Sequence, residues 1–122
     1  MRIVISLLFV SALLVLSQPV YAEKWILVGS GAHQCGKLLA NLELEGIEGQ
    51  VAEVMYEQWM LGYLSARNMS RFAANLPVPY LDGIDGQIRY VKNWCEENPL
   101  KKVDQAVEAL WQELKVRYSI EE

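Results

Sequence analysis

The chain has 122 residues, 52% of them hydrophobic, and carries 11 Lys and Arg against 15 Asp and Glu, a formal charge of −4. That length supports one domain and one core. The acidic balance argues against nucleic acid as a partner, because phosphates call for clustered cations, and against adsorption to an anionic membrane surface.

The first segment reads as an export signal. Arg2 supplies a positive start, residues 3–16 are apolar apart from Ser6 and Ser11, Gln18-Pro19 breaks any helix, and Val20-Tyr21-Ala22 has the small-x-small form of a peptidase site. An apolar run of about 14 residues is short of the ~20 that a membrane span needs, so cleavage after Ala22 is expected rather than anchoring. There is no cysteine near that site for a lipid anchor. Residues 23–122 then form the single mature domain. Only Arg2 leaves with the signal, so 10 cations face 15 carboxylates, a net charge of about −5.

Lys24-Trp25-Ile26-Leu27-Val28 opens this domain as a short strand or an extended arm, followed by the turn Gly29-Ser30-Gly31. A first helix is predicted over 34–44, where Leu38, Leu39 and Leu42 follow Cys35 at i+3, i+4 and i+7, which puts the cysteine on the apolar stripe. Gly46 and Gly49 end it. A second helix is predicted over 49–75, apolar around most of its circumference and therefore central. At 100° per residue Glu53, Glu57, Arg67 and Arg71 share one side, read as the wet one. Val51, Met55, Gly62, Ala66, Met69 and Ala73 share the opposite side, read as buried. Gly62 and Ala66 form a shallow dent there, and a mid-helix glycine costs about 1 kcal/mol against alanine, so a second helix is expected to pack against the dent. Tyr56, Trp59, Leu61 and Tyr63 flank it.

Leu76-Pro77-Val78-Pro79-Tyr80 is a loop by its prolines. Asp82-Gly83 and Asp85-Gly86 offer caps for a third helix whose core stripe is Ile84, Ile88, Val91 and Cys95. Asn98-Pro99 punctuates next, with Asn98 as N-cap and Pro99 as first residue of a fourth helix over 99–118. Its inner face is Val103, Ala106, Val107, Leu110 and Leu114; Lys101, Lys102, Glu108, Gln112 and Lys115 are read as solvated.

Cys35 and Cys95 are the only cysteines, both on inward stripes of an exported chain, and a disulfide is the simplest reading. Two unlinked buried thiols, or a redox pair, are the alternatives. Closing a loop of about 60 residues is worth roughly 4 kcal/mol on the chain-entropy account. The fold class that follows is all-α: a small four-helix orthogonal or bundle domain with one disulfide.

Catalytic chemistry is poorly provided for. Gly29-Ser30-Gly31-Ala32-His33-Gln34 has Gln34 where a dinucleotide fingerprint needs glycine or alanine. His33, the only histidine, has no nucleophile-elbow motif around Ser30, Ser65 or Ser70, and one histidine with two paired cysteines falls short of a zinc site. Asp82 and Asp85 lack the twelve-residue calcium loop and read as helix caps. Asn68-Met69-Ser70 matches a glycosylation sequon inside a predicted helix. We therefore expect no enzyme, no cofactor and no metal. The aromatic residues Tyr56, Trp59, Tyr63, Tyr90 and Trp94 line either the core or a partner groove.

Several motifs resemble a known family. Cys35 with Leu38-Leu39, the stretch Trp59-Met60-Leu61-Gly62-Tyr63-Leu64, and Trp94-Cys95-Glu96-Glu97-Asn98-Pro99-Leu100 are similar to those of the HdeA/HdeB-like small periplasmic proteins. The Trp-x-x-Gly-Tyr-Leu segment also resembles, more faintly, Tai-type immunity proteins. The first resemblance implies a periplasmic, all-helical, disulfide-held chaperone of acid or envelope stress that binds unfolded clients, with Trp59, Gly62, Tyr63, Trp94, Asn98 and Pro99 as its structural or binding residues. A homodimer is compatible with it. The second implies an inhibitor of one specific toxin or enzyme. Protonating 15 carboxylates and His33 would carry the mature chain from about −5 to about +11, a self-repulsion that favours opening at low pH.

Overall fold

The computed structural model describes residues 29–81 and 83–120. The expected signal at 1–22 and the arm or strand at 24–28 lie outside them, as does Asp82. A one-turn 3-10 helix at Ser30–Ala32 leads into four α-helices: α1 Cys35–Leu42, α2 Ile47–Ala73, α3 Ile84–Glu97 and α4 Val103–Arg117. No strand occurs among the described residues; one isolated antiparallel bridge joins Gln34 to Lys102. The described residues are thus all-α with four α-helices, and Cys35 and Cys95 are bonded, their Cα atoms 4.9 Å apart.

The disulfide sits where three elements converge, and the backbone there is cross-braced. The first amides of a helix have no partner inside it. Those of Cys35 and Gly36 donate to the carbonyls of Lys101 and Pro99 at 2.8 and 2.9 Å, while the Val103 amide donates back to the His33 carbonyl at 3.0 Å. The starts of α1 and α4 therefore satisfy each other. Asn98 does not cap α4, as its sequence position suggested. It closes α3, its side-chain amide donating to the Trp94 carbonyl at 2.9 Å, and α4 starts only at Val103. Pro99 lies in the connecting turn rather than at a helix start. Gln105 replaces Asn98 as the local cap, accepting from the Lys102 amide at 3.1 Å.

Two glycines permit close approach. A Cβ on Gly49 would overlap the Leu44 carbonyl oxygen, and one on Gly31 would overlap the indole of Trp59. The first lets the chain turn tightly from α1 into α2. The second seats the 3-10 turn flat on α2. At its far end α2 closes through Asn75, left-handed at φ 57°, with the Leu76 amide donating to the Arg71 carbonyl at 3.0 Å. That arrangement is a common helix stop, and asparagine tolerates it. Arg71 and Asn68 then hold the proline loop by donating to the carbonyls of Pro77 and Pro79 at 2.9 and 2.8 Å.

The core contains Cys35 and Leu38 of α1; Tyr56, Met60 and Leu64 of α2; Ile88, Val91 and Cys95 of α3; and Val103, Ala106, Val107, Leu110, Trp111 and Leu114 of α4. The expected stripes on α1, α3 and α4 are found inside. On α2 the faces are reversed. Tyr56, Met60 and Leu64 point inward on the side that carries Glu53, Glu57, Arg67 and Arg71, while Val51, Met55, Gly62, Ala66, Met69 and Ala73 are all exposed. No helix packs on the Gly62 dent: a Cβ there would meet nothing within 4 Å.

The reason for the reversal lies in α4. Trp111 is buried, and Arg67 and Lys115 lay their cations over its ring at 4.3 and 4.7 Å from the centroid, with Arg71 at 5.9 Å. Glu108 accepts from Arg67 at 2.8 Å, from the Tyr63 hydroxyl at 2.9 Å and from Gln112 at 2.9 Å. Of the residues read as solvated, Arg67 and Arg71 of α2 and Glu108 and Lys115 of α4 gather around Trp111 as a polar layer, with Lys115 only 4% exposed, while Glu53, Lys101, Lys102 and Gln112 are exposed as expected. Long cationic side chains cover apolar surface with their stems, so charge on a helix face did not mark solvent.

Candidate functional site

The polar groups with catalytic potential are dispersed. A hydrogen bond of 2.9 Å joins His33 Nδ1 and the Tyr56 hydroxyl, and that hydroxyl oxygen accepts from the Asn41 amide at 3.2 Å. This chain ties the 3-10 turn to α1 and α2. Burial, then the nearby Lys37 cation, holds the His33 pKa below its ordinary value, and burial raises that of Tyr56. Ser65 is nine residues beyond Tyr56 on α2, about 13 Å along the axis, and Ser70 is further still. Ser30 is buried in the 3-10 turn. No group of three or more His, Cys, Asp or Glu side chains is placed to hold a metal among the described residues. The Asn68 side chain of the sequon is engaged at both ends, donating to Pro79 and accepting from the Trp111 indole at 3.2 Å.

The residues singled out by the motifs do not gather into one site. Trp59 and Tyr63 stack at 5.3 Å on one flank of α2, beside Gly31. Burial and the hydrogen bond to Glu108 push the Tyr63 pKa up to about 12. Trp94, Asn98 and Pro99 belong to the α3–α4 corner, and Gly62 faces solvent on another side of α2. Tyr90 and Trp94 are half-buried against the core.

Clefts on the surface include two lined by charged side chains. One of about 460 Å³ lies between α2 and α3 and is lined by Leu42, Glu53, Asp85, Ile88, Arg89 and Lys92 among others. Burial, with Glu53 and Asp85 close by, holds the Glu57 carboxyl above the usual range. The second, of about 320 Å³, has Trp111 in its wall with Arg67, Arg71 and Lys115 around it.

The largest anomaly is the outward face of α2. Ile47, Met69 and Phe72 are 72–74% exposed and Val51, Val54 and Met55 are 50–57% exposed, with Leu76 following at 41%. From Gly49 to Leu76 all four charged residues, Glu53, Glu57, Arg67 and Arg71, lie on the inward side, so over that stretch the outward face carries none; Glu48 stands exposed at its start. Its remaining positions are Gln58, Gly62, Ser65, Ala66 and Ala73, all exposed. A helix face of this kind is ordinarily buried against something, and contiguous exposed apolar patches mark interaction surfaces. The sequence reading placed Val51, Met55, Gly62, Ala66, Met69 and Ala73 inside and assigned no side to Ile47, Val54 or Phe72. Trp111, opposite the arginines, was the signal that could have corrected it.

No family model, curated protein or solved structure matches the chain. The disulfide fits an oxidising, exported setting. Among the described residues no helix is long and apolar enough to cross a membrane.

Proposed function

We propose that this is a non-catalytic protein-binding protein of the periplasm, a stress chaperone of the HdeA/HdeB-like kind that holds apolar segments of unfolding clients along the outward face of α2. The observation that carries this reading is the apolar outward strip of α2, which carries Glu48 at its start but no charged side chain from Gly49 to Leu76 and is exposed over most of its length. Met55 and Met69 suit an adaptable surface, because the unbranched thioether fits irregular partners. The cross-braced disulfide corner supports the reading as well, since it keeps the scaffold folded while the strip is occupied. Acid strengthens it: the swing from about −5 to about +11 loosens the polar layer between α2 and α4 and adds apolar surface. The test is suppression of aggregation of two unrelated unfolding proteins at neutral and strongly acid pH, with Met55→Asp and Met69→Asp as variants. Activity lost in the variants supports the reading; full activity in both refutes it.

A second reading, an inhibitor or immunity protein with one partner, is favoured by the cleft at Glu53, Asp85, Arg89 and Lys92, whose mixed charges suit one complementary surface. Affinity capture at neutral pH separates the two. A single stoichiometric partner, lost in Arg89→Glu but kept in Met69→Asp, supports the inhibitor.

A further inference from the structure

With Cys35 and Cys95 bonded to each other the chain keeps no free thiol, and its remaining sulfur nucleophiles are thioethers. They belong to Met1, in the expected signal, and to Met55, Met60 and Met69, all on α2. The fold treats the three α2 methionines unequally. Met60 is 1% exposed in the core, whereas Met55 and Met69 stand 57% and 74% exposed on the outward face. Fourteen residues separate these two, about 21 Å along the axis and only roughly 40° around it, so both stand on the same strip. The positions one turn from Met69 include Ser65, Ala66 and Ala73, which are small and themselves exposed.

We propose that Met55 and Met69 form a reversible oxidation site, through which hydrogen peroxide turns the outward strip of α2 from apolar to polar. A sulfur lone pair attacks one peroxide oxygen. The S–O bond forms as the O–O bond breaks, and the departing oxygen takes up a proton and leaves as water. The sulfur gives two electrons to the peroxide, and the thioether becomes a sulfoxide, uncharged but strongly polar. A thiol-dependent sulfoxide reductase reverses the step: two thiols are oxidised to a disulfide and the sulfoxide oxygen leaves as water.

The consequence for activity rests on the client-binding reading of this strip. From Gly49 to Leu76 the outward face has no charged side chain, so contact with an apolar segment depends on its methionines, valines and Phe72. A sulfoxide oxygen covered by such a segment loses its water without gaining a donor, which expels the segment. Two such oxygens about 21 Å apart on a helix about 40 Å long leave little of the strip unaffected. The scaffold is spared, because Met60 and the two bonded cysteines are buried away from the oxidant.

The test treats the purified, disulfide-intact protein with hydrogen peroxide at neutral pH and follows each methionine by peptide mass mapping. Met55 and Met69 are expected to gain one oxygen each, at least about tenfold faster than Met60, since susceptibility follows exposure. Binding of a hydrophobic fluorescent dye is expected to weaken about tenfold on oxidation, with helicity unchanged by circular dichroism, and to return after treatment with methionine sulfoxide reductases for both epimers. Met55→Leu combined with Met69→Leu keeps apolar volume and removes both thioethers, so peroxide leaves the dye binding of this variant at its own untreated level. Met55 and Met69 oxidised no faster than Met60, dye binding unchanged by oxidation, or an equal loss in the leucine variant overturns the inference. Aggregation assays before and after oxidation separate it from the reading it rests on. A protein that never suppresses aggregation, yet loses dye binding through these methionines, refutes the chaperone and keeps the oxidation site. One that suppresses aggregation equally in both states keeps the chaperone and overturns the oxidation site.

Discussion

The α1–α3–α4 corner and the outer side of α2 are built from similar residues and treated in opposite ways. At the corner, apolar side chains are sealed behind a disulfide, and the helix starts are satisfied by backbone carbonyls of neighbouring segments. On the outer side of α2, valine, methionine and phenylalanine of the same character stand in solvent with no charge among them. Apolar content alone does not decide burial: the corner is inside because three elements converge on it. The comparison also divides the labour, with stability concentrated at the corner and, under the proposed function, recognition on the strip.

Breaking the corner should have the largest effect. Cys35→Ala with Cys95→Ala removes the cross-link and is expected to cost about 4 kcal/mol in urea unfolding, with the reduced wild-type protein losing a similar amount. If the doubly substituted protein keeps its midpoint, the corner is held by its hydrogen bonds alone. Next comes the contrast within α2. Leu64→Ala, fully buried, should cost about 3 kcal/mol, whereas Met55→Ala on the strip should change stability by less than about 0.5 kcal/mol. Equal costs at the two sites would contradict the inward placement of Leu64 and the outward placement of Met55. Gly62→Ala should stabilise the protein by up to about 1 kcal/mol, because the new methyl meets nothing.

Smaller effects come from titration. The folded pKa of His33 is depressed, so the unfolded chain takes up that proton first. The His33 contribution to stability is present above its ordinary value near 6.5 and is lost as pH falls through the folded value. His33→Asn should flatten that part of a melting-temperature profile. Tyr63 behaves oppositely. Its folded pKa is about 12 against an ordinary value of 10.0, so the unfolded chain loses the proton first and stability falls as pH rises from about 10 to 12. Glu108→Gln removes the first of the charges behind this, and spectrophotometric titration should show the Tyr63 pKa moving down.

Much of the architecture was legible from pattern. Leu38 with Cys35, Ile88 with Val91 and Cys95, and Val103 with Val107 and Leu110 recur at helical spacing, and each set is inside. Legibility stopped where polar residues pack on one another. Arg67, Arg71 and Lys115 look solvated in a linear reading, yet they lie on the buried Trp111, and Glu108 holds Arg67 and Tyr63 from the facing helix. Asn98 was assigned to the helix after it because Asn-Pro suits a helix start, but its amide closes the helix before it. For the candidate site the right residues were visible and their direction was not.

Helical periodicity and the two inward cysteines were enough to determine an all-α chain with one cross-link, because both depend on residues near one another in sequence or on a pairing with a single solution. Which side of α2 turns inward was decided only in three dimensions. Both sides offer burial energy of similar size, and Trp111, contributed by a helix some forty residues later, accepts the arginine side and leaves the apolar one outside.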